Sequence, residues 1–300
     1  MEMKPCFIVH NLNKGKHVYR AVKGALAQTI PCHVLLTDAQ STDNSWEEMN
    51  RAVKECPMGA KHEVTILQSP MKGENSFQSC SDHFQWVMTQ TQSEWLIPST
   101  SDDYSLPDRA RVCMEAAYQH DCASVATTMY FEKDGETNRQ IVSGFPRESG
   151  YVPAGIGIRR LAFGSCIAAY RKSFLEKVGG FGPVTPDVAW GYLAALDRGY
   201  YVVANPQHVH VQHEDVNNLG FEGKMKGAKD NPEELARLNE LNHFQLFQLF
   251  YLTAVKANEL YPLAHQEDKN AIFQCMMDQA VAWYGKRDAL HKARITPGIL

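Results

Sequence analysis

The sequence predicts an α/β fold, a mostly parallel mixed sheet flanked by helices and followed by a helical C-terminal extension. Two observations carry the prediction. Short apolar runs alternate with amphipathic stripes through the first third of the chain, and polar residues able to do chemistry follow several of those runs: His10 after Cys6 to Val9, Asp38 after Val34-Leu35-Leu36, and Ser101-Asp102-Asp103 after Trp95-Leu96-Ile97. Alternation of this kind argues for parallel strands covered by helices on both faces. Ligands of such sheets bind outside the carboxyl ends of the strands, so the fold would gather His10, Asp38, Asp102 and Asp103 at one edge.

Each element has its own signal. Cys6 to Val9 reads as a buried strand that ends in a polar loop, His10 to Gly15. Val18, Ala21, Val22, Ala25 and Leu26 repeat with the spacing of one apolar helical stripe, and Pro31 closes that segment. Val34-Leu35-Leu36 is the next strand, and Ser41 to Ser45 supplies N-cap candidates for a helix carrying Trp46, Met49 and Val53. Val64 to Leu67, the stripe Phe77, Cys80, Phe84, Val87 and Met88, and Trp95 to Ile97 continue the alternation. Pro107 suits the first turn of a helix with Ala110, Cys113, Ala116 and Ala117 inside. Further on, Val125 to Phe131 and Gly164 to Tyr170 read as strands, Asp134-Gly135 as a turn, and Gly150 to Gly157 as a loop. Ser173 to Val178 and Asp187 to Asp197 read as helices, and long amphipathic helices follow a Lys-, Gly- and Asn-rich stretch.

A chain of 300 residues, 44% of them hydrophobic, buries one large core or one core plus an appendage. A boundary near residue 220 is expected, with a first unit over 1–220 and a helical extension over 221–300. Leu235, Leu238, Leu241, Leu246, Leu249, Phe250 and Leu252 equip that extension to pack on the first unit, the favoured use, or to form a homodimer. The net charge of -4 gives no general attraction to polyanions. The eight cysteines, at 6, 32, 56, 80, 113, 122, 166 and 275, are scattered without a metal or disulfide pattern, so reduced thiols in a cytoplasmic setting are expected. Met1 to His10 lacks the apolar centre of a secretory signal, and no stretch reaches the roughly 18 apolar residues of a membrane span.

Adjacent aspartates at a strand end suit a hard cation and a diphosphate, both rich in or demanding of oxygen. Asp103 is expected to contact Mn2+ or Mg2+, and Asp102 the metal or a ribose; a plain turn and helix cap would explain the same Ser-Asp-Asp. Asp187 follows the turn Gly179-Gly180-Phe181-Gly182 and opens a helix, where it would act as a general base or simply as a cap. His208, His210 and His213 invite a metal reading because alternate strand residues share a face. His213 is favoured for the metal or diphosphate, with His208 and His210 structural.

The run Cys6 to Gly15, then Gln28-Thr29 and Asp38-Ala39-Gln40-Ser41-Thr42-Asp43-Asn44-Ser45, resembles the N-terminal half of inverting family 2 glycosyltransferases of the Rossmann-like GT-A fold. Thr100 to Asp103 with Leu106-Pro107-Asp108-Arg109 resembles that family's metal motif, and Gly164 to Phe181 with Pro186-Asp187 the segment leading to its base. The resemblance spans about residues 5 to 215. It implies that His10 and Asn13 line a nucleoside pocket, that Asp38 sits beside base and ribose, and that Asp102 and Asp103 hold ribose and metal-diphosphate. It further implies Asp187 as the base and Trp190 against the acceptor. Ala39 stands where the family usually has a second acid, Gln40 where a glycine follows, and Pro186 where a glutamate precedes the base. Asn75 lies where an arginine is common and joins the donor-binding candidates.

The implied reaction moves a sugar from a nucleotide-sugar, a UDP-sugar by default, to a hydroxyl of a saccharide or glycoconjugate. A modified nucleobase in DNA is a less favoured acceptor, since it would require a basic stripe from Arg159-Arg160, Lys224, Lys226 and Lys229. The alternatives are a nucleotidyltransferase, for which His10 to Gly15 lacks a Gly-rich phosphate loop, and a non-catalytic sugar-nucleotide-binding or assembly protein.

Overall fold

A computed structural model describes residues 4–70, 77–133, 139–141, 146–152, 167–180, 187–212, 231–271 and 273–274. The alternation becomes β1 (Cys6–Asn11), α1 (Val18–Leu26), β2 (His33–Asp38), α2 (Ser45–Glu55), β3 (Glu63–Gln68), α3 (Phe77–Thr89) and β4 (Trp95–Thr100). Then come β5 (Tyr104–Ser105), α4 (Arg109–His120), β6 (Ser124–Lys133), β7 (Arg139–Ile141), β8 (Gly150–Val152) and β9 (Ala168–Arg171). The described chain closes with α5 (Lys172–Val178), α6 (Asp187–Asp197), β10 (Tyr200–Gln212) and α7 (Pro232–Leu260).

The strands form one sheet in the order β3-β2-β1-β4-β9-β6-β10-β5. β1, β2, β3 and β4 pair in parallel, as do β6 and β10, while β9 runs antiparallel between β4 and β6 and so joins two parallel halves pointing the same way. Chain order reverses at β1, which lies between β2 and β4, and this is where a crevice opens in doubly wound sheets. β1 is apolar on both faces because both are covered. Cys6 and Ile8 join the cluster with Phe84, Leu175 and Leu193 from α3, α5 and α6, whereas Phe7 and Val9 join the one with Val22, Met49 and Cys113 from α1, α2 and α4. Leu249 and Ala257 of α7 and Tyr261 just after it enter the first cluster, and Lys256 of α7 donates to the Val178 carbonyl at the end of α5.

Several expectations shift in detail. α4 opens at Arg109 rather than Pro107, because Pro107 is used before the helix, its carbonyl accepting from Thr29 N–H at 2.8 Å. Gly150 to Val152, expected in a loop, form β8 and pair antiparallel with Tyr200 to Val202. Gly199 allows this approach: its φ is +105° and a Cβ there would meet the Tyr151 ring at 2.8 Å. In the polar run Ser41 to Ser45 the cap residue Asn44 makes no side-chain N-cap bond, Asp43 Oδ1 accepts from the first helical N–H, that of Ser45, at 3.0 Å, and the run also bonds to the β1–α1 loop. Asp134-Gly135, Gly164 to Cys166 and the boundary near residue 220 lie outside the described residues. Cys6, Cys32, Cys56, Cys113 and Cys122 are free thiols, and burial pushes Cys6 and Cys32 up to about 12. Among the described residues no helix is long and apolar enough to cross a membrane.

Candidate functional site

At the carboxyl ends of β1 and β2 the two following loops are bonded to each other through side chains. Asp38 is buried, and its Oδ1 accepts from Asn11 Nδ2 at 2.7 Å and Ser41 Oγ at 2.6 Å, while Oδ2 accepts from Ser41 N–H at 2.9 Å. Ser41 Oγ accepts from Asn13 N–H, and Asn13 Oδ1 accepts from Thr42 N–H, each at 2.8 Å. Asp43 accepts from Gly15 N–H at 2.9 Å, and Lys14 N–H donates to Ser45 Oγ at 3.0 Å. A Cβ at Gly15 would meet Asn44 Oδ1 at 2.0 Å, so a side chain there would have to displace the exposed Asn44 side chain. Asn13 and Gln40 take positive φ, +52° and +58°. Gln40 thus keeps the left-handed backbone that a glycine would adopt freely, and anchors it by donating Nε2–H to Ser69 O at 3.0 Å.

The turn after β4 is held from below. Gln28 donates to Gly24 O and Leu106 O at 2.8 and 2.9 Å and accepts from Ala110 N–H at 2.8 Å, so it ties α1 to the start of α4. Buried Arg109 donates to Ser105 Oγ at 2.9 Å and Pro98 O at 3.0 Å. β5 pairs antiparallel with His208 and Val209 of β10, and this brings the turn against that strand.

Asp102 and Asp103 leave the turn in different directions. Asp103 is buried: Oδ1 accepts from Val211 N–H at 2.9 Å, and Oδ2 lies 3.1 Å from His208 Nε2, 3.3 Å from His210 Nδ1 and 3.2 Å from Thr100 Oγ1. Burial pushes its carboxyl up, but hydrogen bonds from His208 and His210 outweigh burial and hold it well below the usual carboxylate range. Burial also lowers His208 more than Asp103 raises it, so the consistent state is an ionised Asp103 accepting from a neutral His208. Two register shifts in β10, between Val203 and His208, precede the segment from which both imidazoles reach this carboxylate. Asp102, 19% exposed, faces Lys14 instead, with Nζ at 3.3 Å from Oδ2 and Lys14 only 6% exposed.

A third group stands beside these. His10 at the end of β1 lies 5.4 Å from the His83 ring and 5.1 Å from Phe84, and Thr37 Oγ1 bridges toward both imidazoles, 2.9 Å from His83 Nε2. Burial, then the neighbouring His83, lowers His10 well below its ordinary value, and burial lowers His83 to about 4. Trp190, expected against an acceptor, is 2% exposed and packs between Phe84 at 4.9 Å and Tyr170 at 5.4 Å. Asp187 opens α6 as expected. Asn75 and His213 lie outside the described residues.

The described residues thus bring His10, Asn13, Asp38 and Asp102 to one edge of the sheet and turn Asp103 inward. Among these residues Asp103 is bonded to β10, Asp102 faces an ammonium, and no group of three possible metal-ligating side chains occurs, while His213, the third ligand expected, lies outside them. Lys14 and His83 were not singled out from the sequence, and His210, read there as structural, is 48% exposed and touches the very acid expected to bind metal. Chemically, this edge offers fixed polar groups for a nucleoside and an ammonium-carboxylate pair for a charged group beside it.

The sequence model of Glycosyl transferase family 2 matches residues 6–179. No curated protein matches the chain. Among solved structures, residues 1–349 of Staphylococcus aureus TarS in complex with UDP-GlcNAc superimpose with a TM-score of 0.70 at 16% identity, over 97% of this chain and 77% of that one. The complex of the same protein with UDP gives 0.67 at 15% identity, over 95% and 74%. The Pyrobaculum calidifontis mannosyltransferase PcManGT, in complex with GDP-Man and Mn2+, gives 0.53 at 13% identity, over 98% and 89%.

Proposed function

Since the chain belongs to glycosyl transferase family 2 and is a glycosyltransferase, we propose that it moves a sugar from a nucleoside diphosphate donor to an acceptor hydroxyl with inversion at the anomeric carbon. The observation that carries this reading is the convergence of Asp38, Asn13, His10 and the Lys14–Asp102 pair at the carboxyl ends of β1, β2 and β4. The nucleoside lies over the β1 and β2 loops, whose bonded side chains fix it with little ordering cost. UDP-sugar is the default donor, in line with the UDP and UDP-GlcNAc of the TarS complexes.

Asp187, at the first turn of α6, removes the proton from the acceptor hydroxyl. The acceptor oxygen forms its bond to the anomeric carbon as the bond to the diphosphate oxygen breaks on the opposite face, and the electron pair leaves with the diphosphate. Inversion follows from this single displacement. The Mn2+ of the PcManGT complex favours a second reading of the leaving-group side, in which Mn2+ or Mg2+ at Asp102 and His213 shares the diphosphate charge. A saccharide or glycoconjugate is the proposed acceptor.

The test is turnover of UDP-, GDP- and dTDP-sugars against saccharide, glycoconjugate and DNA acceptors. Asp187→Asn is expected to lower turnover by roughly a hundredfold or more while leaving donor affinity unchanged. Donor binding without turnover in the wild type across all acceptors supports a non-catalytic binder instead.

A further inference from the structure

Lys14 is placed as if for a ligand. Its backbone is fixed, the N–H bonded to Ser45 Oγ at 3.0 Å between Asn13 with positive φ and Gly15, whose own N–H donates to Asp43 at 2.9 Å. Its ammonium is buried, lies 3.3 Å from Asp102 Oδ2, and makes no hydrogen bond among the described residues. An ammonium carries three donors, and a buried one with a single imperfect contact is costly to keep. Asp102 is the more open member of the pair, so the unmet donors lie beside a partly exposed carboxylate at the carboxyl end of β4. A diphosphate offers the acceptor oxygens such an ammonium lacks. A divalent cation on Asp102 would instead stand against a like charge a few ångströms away, and Asp103, bonded to His208 and Val211, is not available as a second ligand.

We infer that Lys14 is the built-in counter-ion of the donor diphosphate: its ammonium receives a phosphate oxygen while Asp102 holds it in place, and the donor binds without a divalent cation. This rests on the reading of the edge as a nucleoside diphosphate site. Through the loop, the same contact couples nucleoside and diphosphate recognition, since Lys14 follows Asn13 directly in the chain.

The experiment is calorimetric titration of UDP and of GDP into wild type, Lys14→Met, Lys14→Arg and the double variant Lys14→Met with Asp102→Asn, each in EDTA and in manganese. The double variant removes both charges together, so its thermal midpoint separates lost binding from lost folding. Wild type is expected to bind one nucleotide with a Kd that differs by less than about threefold between the two buffers. Lys14→Met and the double variant should weaken binding in EDTA by about tenfold or more, with Lys14→Arg keeping most of it. In Lys14→Met, where Asp102 has lost its ammonium, manganese should recover part of the affinity, which a purely structural lysine would not produce. Binding by wild type only in manganese, or unchanged binding by folded Lys14→Met in EDTA, overturns the inference and leaves the transferase reading in place. Binding of neither nucleotide in either buffer removes both.

Discussion

Asp38 and Asp103 are both buried aspartates at the same edge of the sheet, yet they are held by different kinds of partner. Asp38 accepts from neutral side-chain and backbone donors within its own loop and the neighbouring one, Ser41 and Asn11. Asp103 accepts from His208, His210 and Val211, which lie 105 to 108 residues further along the chain. The β1–β2 edge is therefore a local assembly that orders itself once two parallel strands pair. The β4–β10 edge is a tertiary assembly, complete only when the last strand of the sheet is in place.

This contrast sets the order of expected effects. Asp103→Ala leaves His208 Nε2 and Val211 N–H without their acceptor in a buried site, and should lower unfolding stability by about 4 kcal/mol in urea titrations. A loss below about 1 kcal/mol would show that β10 does not depend on that carboxylate.

Acidification should act next. His10, His83 and His208 all have lowered values in the folded state, because burial opposes their charging. The unfolded chain therefore takes up protons first as pH falls past the ordinary 6.5, and stability drops below that point, continuing for His83 down to about 4. Between pH 7 and 5.5 the three together should cost about 3 kcal/mol, read as a fall in the urea midpoint. Asp103 adds to the loss only in stronger acid, since its folded value lies below the ordinary 3.8 and its contribution is complete above that pH. A flat profile from pH 7 to 5.5 would contradict the neutral, buried state of these imidazoles.

Asp38→Asn should be milder, about 1 to 2 kcal/mol, because one oxygen can still accept while the new amide faces the N–H of Ser41 or the amide of Asn11. Smallest is Thr42→Ala at the exposed end of the same loops, where the backbone N–H still reaches Asn13 Oδ1 and the lost hydroxyl contact is 3.3 Å long. A change within about 0.5 kcal/mol is expected, and a larger one would make the local assembly more cooperative than its bonds suggest.

The same contrast explains what the sequence disclosed. The strands and helices of the first half were legible because each apolar stripe is a local signal, and Asp38 stood out because it directly follows one of those runs, Val34 to Leu36. Lys14 was not legible as a site residue, since nothing near it in sequence announces that its ammonium meets Asp102 across the sheet edge. The inward turn of Asp103 was hidden for the same reason: two adjacent aspartates look equivalent until β5 pairs with β10 and gives one of them to the histidines. Gly150 to Val152 read as a loop because a short strand with a glycine carries no pattern of its own; its partner is Tyr200 to Val202, admitted by Gly199.

The most direct measurement of the central claim, that the β1, β2 and β4 edge binds a nucleotide-sugar, is a thermal-shift panel of UDP-, GDP-, dTDP- and CMP-sugars on wild type and Asp102→Ala. A rise in the unfolding midpoint with one donor, lost or strongly reduced in Asp102→Ala, is the predicted result. No shift with any donor, or an equal shift in the variant, would contradict it.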